Sequence, residues 1–321
     1  MQKITISGFC AAALFTAAAH AETVFVSLEK DNAIAVVDPV EAKLLKTLPV
    51  GQRPRGIALS RDGKTLFVAT SDDDTIRMFD AETLKETGKL PSGEDPETFA
   101  LSPDDKLMYV SNEDDSEVTV IDIAAQKAVA KIKVGVEPEG IAVSPDNRWA
   151  ISASETTNML HWIDTKTRQI VENTLVDPRP RAASFTADSQ QLWATSEMAG
   201  TVMVLDSASK QIVQTIKLEV QGVTGDLIQP VGVAIDKDRR YAYVAMGPAN
   251  RVAVINAQTY QVEKYLLVGQ RVWNLAFSPD QSRLYTTNGI SNDISIIDLA
   301  EHKVTKSLAV GRYPWGVAVK P

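Results

Sequence analysis

The stretch GVEPEGIAVSPDNRWAI (residues 135–151) contains a proline flanked by two glutamates, followed by two short apolar runs with a polar turn between them. The pattern also occurs 42 residues earlier, in SGEDPETFALSPDDKLMYV (92–110), and 42 residues later, in VDPRPRAASFTADSQQLWA (176–194). In the last copy two arginines flank the proline. The apolar pattern recurs, whereas the charge of the residues that flank the proline changes sign. This predicts a repeated fold in which each repeat presents its own surface residues.

Two columns of residues recur in the same register along the chain. The first, called the anchor column here, contains Pro54, Pro96, Pro138, Pro180, Pro230, Val272 and Pro314. The second, the aspartate column, contains Asp38, Asp80, Asp122, Asp164, Asp206, Asn256 and Asp298. Both advance in steps of 42 residues, with one step of 50 at the same place. Two independent columns in register indicate seven internal repeats.

Each repeat contains four short runs of β-type sequence. In the second repeat these are TFALS (98–102), KLMYVSN (106–112), EVTVID (117–122) and AVAKIKV (128–134). Apolar residues alternate or run briefly within them, and turn residues separate them. Such a unit predicts an all-β, seven-bladed β-propeller with four antiparallel strands per blade. Three runs precede the first anchor and one follows the last, so three N-terminal strands plus one C-terminal strand should close the ring.

The first 21 residues differ from the rest of the chain. Lys3 supplies a positive charge, residues 4–19 are mostly apolar, and Ala19-His20-Ala21 has the small-x-small form of a cleavage site. Residues 1–21 are therefore predicted to be a cleaved signal peptide, with an uncleaved anchor as the alternative, and residues 22–321 to form the propeller. This predicts a periplasmic protein, and no later apolar window is long enough to span a membrane.

The composition argues against several kinds of chemistry. Cys10, inside the predicted signal, is the only cysteine, so the mature chain would have no disulfide, thiolate metal site or covalent haem attachment. The formal net charge of −8 and the lack of a basic stripe argue against nucleic acid as a partner. We therefore expect no covalently bound cofactor and no nucleic-acid partner. Acid pairs such as Asp95 and Glu97 could hold Ca²⁺, but no dense loop of oxygen ligands supports such a site, so we expect no metal site.

Common catalytic motifs are also missing from the sequence. It contains no GxSxG, HExxH or P-loop motif. Beyond residue 21 the only histidines are His161, which is predicted to pack within a strand, and His302, which is predicted to be solvated in a turn. Histidine acting as a general base is therefore poorly supported, which favours a non-enzymatic role.

The segments YVSN (109–112) and YTTN (285–288), followed by VTVID and ISIID, resemble the YVTN repeat, and the resemblance covers all seven repeats. Among YVTN propellers, the chain looks most like those associated with PQQ-dependent alcohol catabolism. That resemblance implies an exported protein whose partner is a periplasmic quinoprotein dehydrogenase, a cytochrome or a transport component. PQQ is implied for the pathway only, because the tryptophans here do not recur blade by blade as they do in quinoprotein dehydrogenases.

Residues around the anchor column differ from blade to blade, in loops that a propeller places at one mouth of its channel. The candidates that flank the anchor are Arg53, Arg55, Asp95, Glu97, Glu137, Glu139, Arg179, Arg181, Arg271, Trp273, Tyr313 and Trp315. Four further candidates, each nine positions before a member of the aspartate column, are Glu29, Glu113, Glu155 and Glu197. They predict an acidic arc flanked by arginines and an aromatic–arginine arc, which favour a ligand- or partner-binding surface.

The alternative for these residues is that they are solvated and form weak surface pairs. Replacing Arg179 and Arg181 together by alanine should leave melting nearly unchanged and weaken the binding of a ligand or partner; a large loss of stability with unchanged binding would show that these arginines are structural. The aspartate column is predicted to cap tight turns. The extra residues in LEVQGVTGDLI (218–228) are predicted to lie on the same face as the mouth.

The leading interpretation is an exported, non-enzymatic binding or scaffold protein that supports PQQ-dependent alcohol catabolism. Two alternatives remain open. One is a lactonase-like hydrolase or lyase that uses carboxylates at the channel mouth. The other is a docking subunit for a redox partner.

Overall fold

A computed structural model describes residues 22–320 of the chain. The predicted signal peptide lies outside the described residues. The rest forms seven four-stranded antiparallel sheets, which confirms the predicted seven-bladed β-propeller. We number the blades from the first anchor, so that blades 1 to 6 follow the chain and blade 7 joins its two ends.

The strands of blade 7 and blades 1 to 3 come first in the chain. Blade 7 begins with β1 (Thr23–Leu28), β2 (Ala33–Asp38) and β3 (Lys43–Pro49). Blade 1 contains β4 (Pro54–Leu59), β5 (Thr65–Thr70), β6 (Thr75–Asp80) and β7 (Glu86–Pro91). Blade 2 contains β8 (Pro96–Leu101), β9 (Leu107–Asn112), β10 (Glu117–Asp122) and β11 (Lys127–Lys133). Blade 3 contains β12 (Pro138–Val143), β13 (Trp149–Ser154), β14 (Met159–Asp164) and β15 (Gln169–Leu175).

The second half of the chain repeats the same order. Blade 4 contains β16 (Pro180–Phe185), β17 (Gln191–Ser196), β18 (Thr201–Asp206) and β19 (Ile212–Lys217). Blade 5 contains β20 (Val233–Ile235), β21 (Tyr241–Ala245), β22 (Arg251–Asn256) and β23 (Val262–Leu267). Blade 6 contains β24 (Val272–Phe277), β25 (Arg283–Asn288), β26 (Asp293–Asp298) and β27 (Lys303–Ala309), and β28 (Pro314–Lys320) ends the described chain.

Blade 7 closes the ring by pairing the two ends of the described chain. β28 runs antiparallel to β1, with Val24 opposite Val319 and Phe25 opposite Ala318. The sheet order β28-β1-β2-β3 confirms the predicted closure by three N-terminal strands and one C-terminal strand. Backbone hydrogen bonds between the two ends therefore hold the ring shut.

The hydrophobic core lies between neighbouring blades. Trp162 and Ile151 of blade 3, for example, pack against Leu192 and Met203 of blade 4, and all four are fully buried. Burying each such side chain stabilises the fold by about 1.5–3 kcal/mol. This face-to-face packing fixes the position of each blade and of the loops at its ends.

The innermost strands approach one another closely around the channel. Five of them begin at an anchor proline, which suits the first residue of an edge strand because it has no N–H to leave unpaired. Gly232 shows how little space remains, since a Cβ there would lie 2.8 Å from the carbonyl oxygen of Trp273 in the next blade. Side chains from different blades can therefore meet across the channel.

The aspartate column caps tight turns, as predicted. Asp206 Oδ1 accepts hydrogen bonds from the N–H and the hydroxyl of Ser209, both at 2.7 Å. Asn256 uses its amide oxygen in the same way, 3.0 Å from the backbone nitrogens of Gln258 and Thr259. The column is structural, because each side chain satisfies backbone groups of its own turn.

Helical structure is limited to two short 3-10 turns among residues 22–320, Ser71–Asp73 and Gly225–Leu227. Neither of these segments is long enough to cross a membrane.

Candidate functional site: the channel mouth

The residue before each anchor has an unusual backbone. The φ angle is 49° at Arg53, 47° at Asp95 and 61° at Arg179, in the left-handed region that costs a non-glycine residue about 1–2 kcal/mol. A side chain 21 residues earlier holds each of these positions. Arg53 N–H donates to Asn32 Oδ1 and Arg179 N–H donates to Asn158 Oδ1, both at 3.0 Å.

These supporting side chains form a column that the sequence reasoning missed. Its members that bond in this way are Asn32, Asp74, Asn158, Asn250 and Asn292. They lie six residues before members of the aspartate column, at spacings of 42, 84, 92 and 42 residues because Ser116 and Gly200 occupy the positions between them, and this register was the signal that could have revealed them. The column fixes the direction in which each blade presents its variable residue to the mouth.

The arginines of blade 1 reach the acidic residues of blade 2. Arg53 Nη1 lies 2.6 Å from Asp95 Oδ1, and its Nη2 lies 2.9 Å from Glu97 Oε1. Arg55 also pairs with Glu97, and its Nε lies 3.7 Å from Glu29 Oε2. Because Glu97 is fully buried, these are charge-assisted bonds inside the protein rather than on its surface.

The arginines of blade 4 reach back to blade 3 in the same manner. Arg181 Nη2 lies 2.6 Å from Glu139 Oε1, and its Nη1 lies 2.5 Å from Glu155 Oε1. Arg179 lies 2.7 Å from Glu155 and 2.9 Å from Glu197. The acidic residues are thus held from both sides by arginines of neighbouring blades.

Blade 6 contributes Arg271 to the channel mouth, where its guanidinium group stacks on the ring of Trp273. Arg271 lies 3.1 Å from Glu197 and 2.7 Å from Gln229, and its guanidinium carbon lies 4.2 Å from the centre of the Trp273 ring. Trp273 and Trp315 belong to one cluster with Val231, against which Tyr313 packs. Each cation–π contact of this kind stabilises by about 0.5–2 kcal/mol.

The structure corrects two expectations about these residues. Most of the acids and Arg181 are buried and ion-paired across blades, so they are not solvated loop residues. The acidic and aromatic arcs are joined, because Glu197 bonds to Arg271, which stacks on Trp273. Alanine at Arg181 would strand buried carboxylates, so the expectation that melting stays nearly unchanged is wrong for that position.

Two predicted residues lie at the margin of the channel mouth. Glu137 bonds to the hydroxyl of Thr156, makes no ion pair and does not line the mouth cavity. Tyr313 contacts the ammonium group of Lys30, at 5.8 Å from its ring centre. The other candidates meet in one ion-paired and aromatic network.

Carboxyl groups outnumber arginines in the network. It holds the arginines Arg53, Arg55, Arg179, Arg181 and Arg271, and the acids Glu29, Asp95, Glu97, Glu113, Glu139, Glu155 and Glu197. Glu113 has no arginine partner among the described residues. Its carboxyl lies beside those of Asp95 and Glu97, with one oxygen from each group within 4.8 Å of the others, so these three side chains could together hold a metal ion where the sequence predicted none.

This crowding changes the protonation of the mouth. Burial, together with the charges of Glu97 and Glu139, raises the pKa of Glu113 to about 8. Burial likewise raises the pKa of Glu97 to about 7, although Arg55 opposes the change. At neutral pH Glu113 therefore carries a proton, and its carboxyl can donate a hydrogen bond to the side chain of Glu97.

The mouth opens into a cavity of about 430 Å³. Its lining residues include Glu113, Glu139, Arg179 and Arg271. Gln229 and Met198 also line it and were not among the predicted site residues. No residue of the 218–228 insertion lines this cavity; its Leu218 and Ile228 are buried in the core of blades 4 and 5. Most of the residues between them, 219–227, are exposed.

The two histidines lie away from the mouth. His161 accepts a hydrogen bond from Gly135 N–H at 2.9 Å and bonds to Asn173 at 2.6 Å, which confirms its packed role. His302 is half-buried against Tyr241 and Tyr243, so the prediction that it is solvated is wrong.

Two family models match parts of the chain. The cytochrome D1 heme domain matches residues 97–259, and the seven-bladed β-propeller lactonase matches residues 34–133. No curated protein matches the sequence.

Solved structures resemble the whole propeller. Hydrazine synthase from Kuenenia stuttgartiensis superposes with a TM-score of 0.79 at 20% identity, covering 87% of this chain and 92% of that chain. A functionally unknown protein from Desulfotomaculum acetoxidans DSM 771 superposes with a TM-score of 0.78 at 15% identity, covering 93% and 98%. At these identities the likeness shows the fold alone.

The name of the first family raises the question whether haem fits the mouth. No histidine of residues 22–320 lines the cavity, and the thioether of Met198 lies on its exposed rim. The walls are charged side chains bonded to one another, with Trp273 as the one aromatic residue among them. A haem face needs an apolar wall and an axial ligand, so these residues do not fit the group.

The cytochrome D1 model covers just over half of the chain, across blades 2 to 5. Its span includes most of the acids in the mouth and both arginines of blade 4. By this match, the chain belongs to the cytochrome D1 heme domain family.

Proposed function

We propose that the protein is a binding propeller that holds a small polar ligand at the channel mouth. The observation that supports this most is the cavity of about 430 Å³, with the proton-bearing Glu113 and the arginines Arg179 and Arg271 in its wall. Concave sites with a few convergent polar groups and perturbed pKa values are the usual places for ligands.

The chemistry of the wall indicates the class of ligand. The side chain of Arg179 is 41% exposed and can still donate to an incoming carboxylate. Glu113 and Glu139 can accept from, or donate to, hydroxyl groups. A ligand with one carboxylate and one or more hydroxyl or ammonium groups, such as a small hydroxy acid or amino acid, meets both requirements.

A thermal-shift assay tests this function. The probes are lactate, gluconate and glycine at about 5 mM, a concentration that detects weak millimolar binding. At least one probe should raise the melting temperature of the wild type, and Arg179→Ala and Glu113→Ala should each lose the shift. Glu137→Ala is the matched control and should keep it, because Glu137 lies outside the cavity. A shift that survives both mouth variants, or no shift with any probe, would contradict the proposal.

A lactone hydrolase is the second candidate. Glu113, with a pKa near 8, can act as a general base in mildly alkaline solution, and it lies within the segment matched by the lactonase model. Hydrolysis of δ-gluconolactone above the spontaneous rate, lost in Glu113→Gln, is expected of this candidate. A rate equal to that of buffer at every pH would rule it out.

The resemblance to YVTN propellers associated with PQQ-dependent alcohol catabolism supports a setting for this function. We propose that the protein is exported to the periplasm and acts beside a quinoprotein dehydrogenase, a cytochrome or a transport component. Purification from the periplasm of the native host should then retain one of these proteins. A stable complex with a cytochrome would favour the docking role instead, and recovery only from the cytoplasm would contradict the setting.

A further inference from the structure

A second cavity, of about 510 Å³, lies in the groove between blades 5 and 6. It is formed by the turns at the opposite ends of the blades from the mouth loops. Its wall contains Tyr241 and Tyr243 of blade 5 and His302 of blade 6, together with the carboxylates of Asp236, Asp280 and Asp298.

The corresponding grooves between blades 3 and 4 and between blades 4 and 5 are filled by the protein's own side chains. His302 lies four residues after its member of the aspartate column, and Lys210 and Tyr260 occupy the same position in blades 4 and 5. The ammonium group of Lys210 lies 4.7 Å from the ring centre of Trp149, in the groove between blades 3 and 4. Tyr260 packs on Trp193, with 5.9 Å between ring centres, in the next groove.

The groove between blades 6 and 7 shows a third solution. In blade 7 the position four residues after the aspartate column is a small residue, Ala42. The carboxylate of Glu22 enters the groove instead. Glu22 accepts hydrogen bonds from the hydroxyl of Tyr285 at 2.9 Å and from Arg283 at 3.1 Å. These grooves are therefore able to hold a charged group against an aromatic residue.

His302 leaves its groove partly empty. Its ring meets the edge of Tyr241, with 4.6 Å between centres, and its Nε2 lies 3.2 Å from the hydroxyl of Tyr243. The short imidazole reaches no further, and the remaining space is the cavity.

The charge of the groove is negative where the ligand would lie. Asp236 is 6% exposed and stands in a column that is serine or threonine in five other blades, at Ser60, Ser102, Ser144, Thr186 and Ser278, and lysine at Lys320. Asp280 and Asp298 each cap a turn with Oδ1, and their Oδ2 atoms accept no hydrogen bond from the described residues. Lys237 and Arg240 also line the groove, and Arg240 is engaged with Asp236 at 3.6 Å.

We propose that this groove binds an organic cation, namely an aliphatic amine or diamine. Its ammonium group would take the place that the ammonium of Lys210 occupies beside Trp149. Tyr241 and Tyr243 would supply cation–π contacts, and the free carboxylate oxygens would accept charge-assisted hydrogen bonds. The site is independent of the mouth and of the function proposed for it.

Isothermal titration with 1,4-diaminobutane tests the site on the full mature chain. We expect saturable binding at one site, and binding at least about tenfold weaker for 1,4-butanediol, which has the same length and no charge. His302→Lys should weaken diamine binding by at least about tenfold, because the new side chain fills the groove with its own ammonium group. Lys210 shows that lysine tolerates the left-handed backbone at this position, with φ of 61°.

His302→Gln is the matched control. Glutamine occurs naturally in this column at Gln126, and it places no charge in the groove, so diamine binding should stay within about threefold of wild type. The proposal is overturned if the wild type gives no saturable heat up to about 50 mM diamine. It is also overturned if butanediol binds equally well, or if His302→Lys binds the diamine as the wild type does.

Discussion

Acidic side chains serve two different purposes in the channel mouth and in the aspartate-column turns. In the turns, an exposed carboxylate such as that of Asp206 bonds to the backbone two or three residues ahead. In the mouth, a buried carboxylate such as that of Glu139 bonds to an arginine of another blade. A side chain that caps its own turn repeats with the fold, whereas a charged side chain whose partner is a side chain of another blade can differ from blade to blade. The mouth is therefore where the chain carries its individual chemistry.

Removal of Arg181 should have the largest effect. Arg181→Met leaves Glu139 and Glu155 buried without their shared cation, and we expect a loss of about 3–5 kcal/mol of unfolding free energy in urea. The control is Arg181→Met combined with Glu139→Gln and Glu155→Gln, which removes the stranded charges and should recover a large part of the loss. A loss below about 1 kcal/mol in the single variant would mean that these ion pairs contribute no more to stability than solvated surface pairs do.

The protonation of Glu113 should make the stability of the mouth depend on pH. Its pKa is raised to about 8 in the folded state, so the folded protein holds a proton that the unfolded chain releases. Stability should therefore fall as the pH rises from about 5 to about 8, and level off above that. In Glu113→Gln the decrease in unfolding free energy over this pH range should be smaller by about 2 kcal/mol. This figure is below the full effect of the pKa shift because solvent reaches part of the Glu113 side chain. Parallel urea-stability curves for the two proteins between about pH 5 and pH 9 would contradict the assignment.

Loss of one turn cap should have a smaller effect. Asp206→Ala removes two hydrogen bonds within one turn, and we expect it to cost about 1 kcal/mol by urea unfolding. Asp206→Asn should cost about half as much or less, because Asn256 fills the same role in blade 5. If Asn and Ala are equally harmful, the carboxylate charge matters in the turns as well and the contrast with the mouth weakens.

Arg179 should be the least important arginine for stability. It is 41% exposed, and its partner Glu155 keeps a bond to Arg181. Arg179→Ala should cost less than about 1 kcal/mol of unfolding free energy, measured beside Arg181→Met under the same conditions. An equal loss in the two variants would mean that the exposed Arg179, which we propose binds the ligand, matters as much for stability as the buried Arg181.

The sequence predicted the repeat, the closure of the ring and the residues that face the mouth, because these depend on spacing alone. It did not predict the pairing of Arg53 with Glu97 or of Arg181 with Glu155. Those contacts depend on how closely the innermost strands approach, which is set by packing between blades. His302 was misjudged for the same reason, since its neighbours Tyr241 and Tyr243 lie about 60 residues away in sequence, a separation that spacing within one turn does not reveal.

The central claim is that the mouth is a buried network with more carboxyl groups than arginines, so that Glu113 keeps a proton near neutral pH. Titration of the glutamate side-chain carboxyl carbons by ¹³C NMR, with Glu113 assigned by comparison with Glu113→Gln, tests it directly. The account predicts that the Glu113 signal shifts with a midpoint near a pKa of about 8. A midpoint near the ordinary value of 4.5 would mean that the mouth is solvated, and would contradict the account.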